Sequence, residues 1–198
     1  MKVGLYFGSF NPVHIGHLAI ANYIVEFTDI DRLWFVLSPQ NPLKKKATLL
    51  EDLDRYDLLK LAVGRDKHFE ICDIEFHLPK PSYTIDTLTY LKERNPRYKF
   101  VIIMGSDVLP TFHKWKNYKE IIKNYQRYIY PRRGYENIDT KEHQNIKIID
   151  APLIEISSSF IRRALKQGKN IKYFLPAEVY KYILKKHLYG TWQSDAPD

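Results

Sequence analysis

Two histidines three residues apart, His14 and His17, stand in the part of the chain with the densest chemistry, residues 4–21 (GLYFGSFNPVHIGHLAIA). A three-residue spacing places two side chains on one face of a helix. The first turn of a helix has backbone N–H groups without partners and the positive end of the helix dipole, so it attracts phosphate. The pair therefore predicts a nucleotide site, the alternative being ordinary surface or core histidines at a helix start.

Glycines on both sides of the turn before this helix fit the same hypothesis. The turn is Gly8-Ser9-Phe10-Asn11-Pro12. We expect Gly8 to allow a tight turn after the first strand, and Gly16 to let a ligand approach the backbone, because glycine has no side chain.

A second candidate anion site lies at residues 156–165 (ISSSFIRRAL). Ser157 and Ser158 can cap a helix, whose free N–H groups bind anions. Arg162 lies four residues after Ser158, on the same face, and can form two hydrogen bonds with a phosphate. The alternative is an ordinary capped helix with a surface arginine.

Two further stretches carry polar groups next to predicted strands. Gly105 and Asp107 follow the clearest buried strand, residues 100–104 (FVIIM), where a carboxylate can accept hydrogen bonds from ribose hydroxyls. The other role open to Asp107 is to cap the short helix that follows. Residues 38–46 (SPQNPLKKK) form a proline-containing loop with three lysines, which either faces the same site or is a solvated surface loop.

The elements that position these residues are predicted from hydrophobic patterns. Short apolar runs are typical of parallel strands buried on both faces, and right-handed βαβ crossovers bring the carboxyl ends of such strands to one edge. Ser82 or Thr84 would cap the third helix, and Leu53, Tyr56, Leu59 and Val63 would form the apolar face of the second. The predicted strands are 3–7, 33–37, 69–73, 100–104, 127–130 and 145–149, and the predicted helices start near 15, 51, 84, 118, 157 and 176.

Composition limits the class of protein. The 198 residues suffice for one domain, predicted over 1–190, with a mobile tail at 191–198. A net charge of +8 favours polyanionic partners, and a phosphate-rich small substrate explains it without nucleic acid or membrane, since no run of five basic residues occurs. Cys72 is the single cysteine, which excludes an intrachain disulfide and a thiolate zinc site, and no apolar stretch approaches 18 residues. We expect a soluble, cytoplasmic protein.

Taken together, three separated blocks resemble the bacterial nicotinate-nucleotide adenylyltransferase family, part of the nucleotidyltransferase superfamily with the H-x-G-H motif. The blocks are G-S-F-N-P with H-I-G-H at 8–17, Gly105 with Asp107 and Trp115, and I-S-S-S-F-I-R at 156–162. Residues 81–87 (PSYTIDT), 173–176 (YFLP) and 188–189 (LY) are also similar, so the resemblance spans nearly the whole chain. It implies an α/β fold with a Rossmann-like doubly wound, mainly parallel sheet and helices on both faces.

The resemblance also implies a reaction and its residues. The family transfers AMP from ATP to nicotinate mononucleotide by direct in-line attack, and Mg²⁺ accompanies the ATP without a dedicated set of protein ligands. His14, His17 and Arg162 would be catalytic. The residues implied for ATP binding are Gly8, Ser9, Phe10, His14, His17, Gly105, Asp107, Ser157, Ser158 and Arg162, and those for the mononucleotide are Lys44, Thr84, Trp115 and Lys116.

Three positions depart from the family pattern, and three other functions stay open. Asn11 stands where aspartate is usual, Ser9 where glycine or a second small residue is usual, and Leu43 where a histidine commonly precedes the basic residue matched by Lys44. The alternatives are the same transfer to nicotinamide mononucleotide or another phosphorylated acceptor, a catalytically silent nucleotide-binding regulator, and an RNA-binding module. An aminoacyl-tRNA synthetase is excluded by length. The oligomeric state is open, a homo-oligomer included.

Overall fold

The computed structural model describes residues 1–39, 49–135 and 144–191. Within these ranges the strands are β1 (Lys2–Gly8), β2 (Arg32–Leu37), β3 (Phe69–Cys72), β4 (Lys99–Gly105), β5 (Gln126–Tyr130) and β6 (Ile146–Ile148). They form one six-stranded sheet in the order β3-β2-β1-β4-β5-β6, and every pairing is parallel. The order reverses beside β1, which pairs with β2 on one side and with β4 on the other.

Helices connect the strands and cover both faces of the sheet. They are α1 (Ile15–Phe27), α2 (Asp52–Val63), α3 (Thr84–Arg94), α4 (Tyr118–Asn124), α5 (Ser158–Lys166) and α6 (Ala177–Lys185). Short 3₁₀ segments run over Ile74–Phe76, Ser106–Lys114, Lys172–Phe174 and Leu188–Gly190.

Two hydrophobic cores lie on opposite faces of the sheet. Because side chains alternate along a strand, Leu5 of β1 points into one core and Tyr6 into the other. The Tyr6 core contains residues of α1, α2, α5 and α6, whereas the Leu5 core contains residues of α3 and α4. This arrangement confirms the predicted doubly wound α/β fold.

Local details differ from the sequence-based expectations. Tyr83, not Ser82 or Thr84, precedes α3 as its cap residue, because the Ser82 hydroxyl donates to a buried carboxylate instead. Thr191, assigned to the tail, is buried and its hydroxyl donates to the Leu188 carbonyl at 3.1 Å. The remainder of the predicted tail, residues 192–198, lies outside the described residues.

The predicted apolar face of α2 is confirmed at Leu59, which is buried, and at Tyr56 and Val63, which are half-buried and pack against the Tyr6 core, but it is wrong at Leu53. Leu53 is 75% exposed, and the side chains that α2 buries are Arg55, Leu58 and Leu59. Arg55 departs from a hydrophobic pattern, because the fold places its guanidinium inside the protein.

No helix in the described ranges is long and apolar enough to cross a membrane.

Candidate active site

A cavity of about 730 Å³ lies at the carboxyl edge of the sheet, where β1 and β4 end. Ligands of open α/β sheets bind where the strand order reverses, and this cavity has that position. Its wall includes every described residue that the sequence analysis assigned to ATP or to the mononucleotide. These are Gly8, Ser9, Phe10, His14, His17, Thr84, Gly105, Asp107, Trp115, Lys116, Ser157, Ser158 and Arg162. Lys44 lies outside the described residues.

The loop between β1 and α1 is held by the Phe10 ring. Phe10 is buried and has a positive φ of 42°, which turns its ring into the core and leaves its backbone at the cavity. A Cβ on Gly8 would lie 2.8 Å from Phe10 Cζ. Gly8 therefore makes room for this ring, and the positive φ of the predicted tight turn belongs to Phe10.

His14 and His17 stack at the start of α1, with ring centroids 3.7 Å apart and an angle of 24° between the rings. His17 Nδ1 accepts a hydrogen bond from the His14 backbone N–H at 3.2 Å. A neutral His17 consequently carries its proton on Nε2, where it can donate to a ligand oxygen. The predicted same-face arrangement of the two histidines is confirmed.

His14 is kept neutral by its surroundings. Burial, with a smaller contribution from the positive charge of Arg132, lowers the pKa of His14 to about 3. His14 Nδ1 is buried and has no hydrogen-bond partner among the described residues. Leaving such an atom unsatisfied costs about 1–3 kcal/mol, which is the kind of cost that functional sites carry.

Gly16 leaves space for the His14 ring. The expected role of Gly16 was a different one, to let a ligand approach the backbone. A Cβ at Gly16 would lie 2.9 Å from Ile154 Cγ2 and 3.0 Å from His14 Nδ1. The missing side chain therefore makes room for the imidazole and for Ile154.

The start of α5 is joined directly to the loop before α1. The Ser158 hydroxyl donates to the Pro12 carbonyl at 2.9 Å, and Arg162 Nη1 donates to the Asn11 carbonyl at 2.7 Å. Ser157 caps α5, its hydroxyl accepting from the Phe160 N–H at 3.2 Å. Capping and a shared side for Ser158 and Arg162 are thus confirmed, and the amino ends of two helices meet at the cavity.

Asp107 lines the cavity directly after β4. It does not cap the 3₁₀ segment, which Gly105 precedes; its carboxylate lies 3.8 Å from Arg132 Nε. A Cβ on Gly105 would lie 3.0 Å from Arg132 Cγ, so the glycine makes room for this ion pair.

Arg132, which follows β5, is a cavity residue that the sequence analysis did not single out. Its guanidinium lies over the Tyr130 ring, 5.2 Å from the centroid, and Nη2 donates to the Tyr130 hydroxyl at 3.3 Å. A signal was present in the sequence, since an arginine directly after a strand end reaches the edge where ligands bind.

Trp115 and the start of α3 line the remaining wall. The Trp115 ring packs on Phe112 with centroids 5.0 Å apart. Lys116 Nζ lies 2.9 Å from the Asp86 carboxylate and 4.7 Å from the centroid of the Tyr83 ring. Thr84 is the first residue of α3, so the N–H groups of Thr84 and Ile85 have no acceptor within the helix and suit an anion, whereas the Asp86 N–H donates to the Tyr83 carbonyl at 3.0 Å.

Two buried charged residues next to the cavity were also missed. Glu75, in the 3₁₀ segment after β3, is on the cavity wall, and Arg55 of α2 is fully buried behind it. Neither belongs to a motif, and only their contacts, described below, distinguish them from surface charges.

No group of three or more His, Cys, Asp or Glu side chains in residues 1–39, 49–135 and 144–191 could hold a metal ion.

Comparison with known proteins places this geometry in a family. A model of the cytidylyltransferase-like family matches residues 5–164. A protein of Cytophaga hutchinsonii named "Probable nicotinate-nucleotide adenylyltransferase" is 47% identical over 97% of this chain and 100% of its own. A protein of the same name from Flavobacterium johnsoniae is 51% identical over 96% of this chain and 99% of its own.

Solved structures share the fold. The nicotinic acid mononucleotide adenylyltransferase of Plasmodium falciparum, complexed with NaAD, superposes with a TM-score of 0.82 and 23% identity, covering 96% of this chain and 98% of the other. The fold of this chain is thus similar to one already seen in a solved structure.

Proposed function

Because the chain belongs to the nicotinate-nucleotide adenylyltransferase family, within the cytidylyltransferase-like proteins, we infer that it transfers AMP from ATP to nicotinate mononucleotide. The products are deamido-NAD, a precursor of NAD, and pyrophosphate. The observation that carries this proposal is that His14, His17, Ser158 and Arg162 line one cavity at the reversal of strand order. Ser158 and Arg162 are also hydrogen-bonded to the loop that leads to the two histidines.

The reaction is one displacement at phosphorus. A phosphate oxygen of the mononucleotide attacks the α-phosphorus of ATP, the bond from that phosphorus to the bridging oxygen breaks, and pyrophosphate leaves with the electron pair. The nucleophile is already an anion near neutral pH, so the protein has to position two polyanions and stabilise the charge of the transition state.

The cavity residues divide these tasks. His17 Nε2–H donates to the α-phosphate region, with neutral His14 stacked behind it. Ser157, Ser158 and Arg162, at the amino end of α5, bind the β- and γ-phosphates. The Ser158 hydroxyl proton and one Arg162 N–H are engaged by the loop before α1, so the donors for the polyphosphate are the Ser157 hydroxyl, the remaining Arg162 N–H groups and the backbone N–H groups at the start of α5.

The adenosine and the mononucleotide occupy opposite parts of the cavity. Gly8, Ser9, Phe10 and Gly105 supply backbone near the adenosine, and Asp107 accepts hydrogen bonds from its ribose. The pyridine ring stacks on Trp115, and its carboxylate binds N–H groups near Thr84 and Lys116. Lys44, outside the described residues, would bind the phosphate of the mononucleotide.

Mg²⁺ enters with ATP in this proposal. Magnesium prefers phosphate oxygens and water and often needs only one or two protein carboxylates. The carboxylates of the described cavity residues fit this use, because they are already engaged by protein groups. Asp107 pairs with Arg132, and Glu75 accepts hydrogen bonds from protein hydroxyls. When bound, the ion neutralises negative charge on the phosphates.

Nicotinamide mononucleotide is the alternative acceptor. Acid and amide differ in a few hydrogen bonds, and the free N–H groups at the start of α3 favour the acid, because they are donors and lie at a positive helix end. We also propose that the protein works in the cytoplasm as an enzyme of small nucleotides, without a nucleic-acid or membrane partner. Its single cysteine suits a reducing compartment.

Pyrophosphate release with Mg²⁺ and ATP, measured separately with nicotinate and nicotinamide mononucleotides, tests the proposal. We expect release with the acid at a kcat/KM that exceeds that for the amide. A preference for the amide would overturn the acceptor assignment and leave the fold and the histidine roles standing. Binding of ATP without release from either acceptor would support the regulator instead, and salt-dependent binding of RNA would support the RNA-binding alternative.

A further inference from the structure

A buried acid in the cavity wall has no part in the reaction described above. Glu75 is 3% exposed, and its two carboxylate oxygens accept hydrogen bonds from the hydroxyls of Ser82 and Thr87, each at 2.9 Å. The Ser38 hydroxyl also faces this carboxylate and stabilises its charged form. A carboxylate withdrawn from water needs such donors, and breaking a buried set of this kind is costly.

The three donors come from three parts of the chain that meet at the cavity. Ser38 follows β2, Ser82 precedes α3, and Thr87 is in the first turn of α3. The Thr87 hydroxyl also lies 3.3 Å from the Tyr83 carbonyl, so its position and that of the α3 start are coupled. Glu75 therefore holds the segment Ser82–Thr84, which lines the cavity, against the end of β2.

Arg55 connects this group of residues to the loop after β1. Its Nη1 donates to the carbonyls of Ser38 and Ser9, both at 2.8 Å. Ser38 thus faces Glu75 with its hydroxyl and accepts from Arg55 with its carbonyl. The start of α3 and the loop after β1 are therefore the two ends of one path of buried polar contacts.

We propose that Glu75 is a positioning residue that sets the acceptor mononucleotide against ATP by fixing the first turn of α3. The proposal rests on the proposed function, because that function places the acceptor beside Thr84. The ATP side has its own attachments, from Ser158 to Pro12 and from Arg162 to Asn11, which do not involve Glu75. Loss of Glu75 should therefore weaken the acceptor more than ATP.

The first test compares the KM values of the two substrates in Glu75→Ala, Glu75→Gln and Glu70→Gln. We expect Glu75→Ala to raise the KM of the acceptor about tenfold or more, since the charged hydrogen bonds are lost, with that of ATP nearly unchanged. The KM of the acceptor should rise less in Glu75→Gln, because the amide oxygen of glutamine still accepts a hydrogen bond from one hydroxyl. Glu70 lies on β3 just before Glu75, is exposed, and serves as the matched control.

The second test uses hydrogen exchange without substrates, so it does not depend on the proposed function. In Glu75→Ala the amides of residues 83–88 should exchange about tenfold faster or more, while those of α5 stay as in the wild type. Thr87→Val, which keeps the shape and removes one hydroxyl, should show a smaller change in the same direction and covers a failure of Glu75→Ala to fold.

The outcomes separate the two proposals. Wild-type protein that releases no pyrophosphate with either mononucleotide overturns the proposed function, while exchange still reports whether Glu75 holds α3. Unchanged exchange in Glu75→Ala, or a KM that rises equally for both substrates, overturns the positioning role.

Discussion

The two stacked imidazoles at the start of α1 have different electrostatic environments. His14 is buried beside the Arg132 guanidinium and stays neutral, while His17 lines the cavity with its Nδ1 occupied by a backbone N–H. Stacking fixes both rings before any ligand arrives. The pair therefore acts as one rigid donor surface, and each ring should respond differently to change.

His14 should make stability depend on pH. Its folded pKa of about 3 lies below the unfolded value of 6.5, so only the unfolded chain gains a proton at His14 as the pH falls from 6.5 toward 3. The stability contributed by the neutral ring is complete above pH 6.5 and about 2 kcal/mol of it is lost by pH 5. Urea unfolding at pH 7.5 and 5.0 measures the loss. His14→Gln should show a smaller loss, and an equal loss in both proteins would contradict the assignment.

His17 should matter for turnover and little for stability. Removing the Nε2–H donor in His17→Ala should lower kcat by about two orders of magnitude or more, because a donor aimed at developing charge is lost. Pyrophosphate release measures this, with circular dichroism to verify folding. His77, which is exposed directly after the 3₁₀ segment Ile74–Phe76, provides the control His77→Ala. Near-normal turnover in His17→Ala would remove His17 from the mechanism.

At the scale of elements, α2 covers one face of the sheet and also binds the loops after β1 and β2 through Arg55. Arg55 donates to the carbonyls of Ser9, Ser38, Pro39 and Leu50 and pairs with Asp52. These carbonyls lie on the loops after β1 and β2 and at the entry to α2. One planar guanidinium with five N–H donors joins three chain segments, which an ammonium group cannot do.

Arg55→Lys should consequently destabilise the protein by about 3 kcal/mol, because several buried carbonyls lose their donor. It should also raise the KM of both substrates, since the loop after β1 and the path to Glu75 both depend on it. Denaturant unfolding and steady-state kinetics measure the two effects. The control is Arg65→Lys, at an exposed position just after α2. A stable Arg55→Lys with wild-type KM values would show that the buried contacts are dispensable.

The elements were predictable where local pattern and tertiary structure agree. Residues 33–37 and 100–104 are uniformly apolar because both faces of a central parallel strand are buried, and β2 and β4 lie there. The residues around His14, His17, Ser158 and Arg162 were predictable from spacing and from family motifs, and they do meet at one cavity.

The rest depended on contacts between residues far apart in sequence. Arg55 and Glu75 are charged, so a hydrophobic pattern places them outside, and only the carbonyls and hydroxyls around them make burial favourable. The need for glycine at positions 8 and 16 could not be predicted from the local sequence either. It comes from the rings of Phe10 and His14, which occupy the space that a side chain at Gly8 or Gly16 would fill.

At the scale of the whole molecule, Cys72 at the end of β3 reports on the intact fold. Cys72 is only 8% exposed, and this burial raises the pKa of its thiol to about 11. The thiolate is the reactive form, so the raised pKa alone should slow alkylation near pH 8 about a hundredfold relative to the unfolded chain.

Iodoacetamide labelling in buffer and in urea, followed by mass spectrometry, measures this difference, with Cys72→Ser as the unlabelled control. Saturating ATP should slow labelling further if exposure requires unfolding of the ligand-binding fold, because a ligand stabilises the folded state by mass action. Labelling in buffer as fast as in urea would contradict the burial of Cys72.

Synthesis on the ribosome proceeds in an order that matters for this site. β1 is made before the other strands of the sheet, yet one of its edges pairs only with β4, about a hundred residues later. The loop after β1 is held later still, because Arg162 and Ser158 donate to the carbonyls of Asn11 and Pro12. The Asn11 amide oxygen also accepts from the Tyr189 hydroxyl at 2.8 Å. A product released before residue 158 would therefore carry the H-I-G-H sequence without the site that it serves.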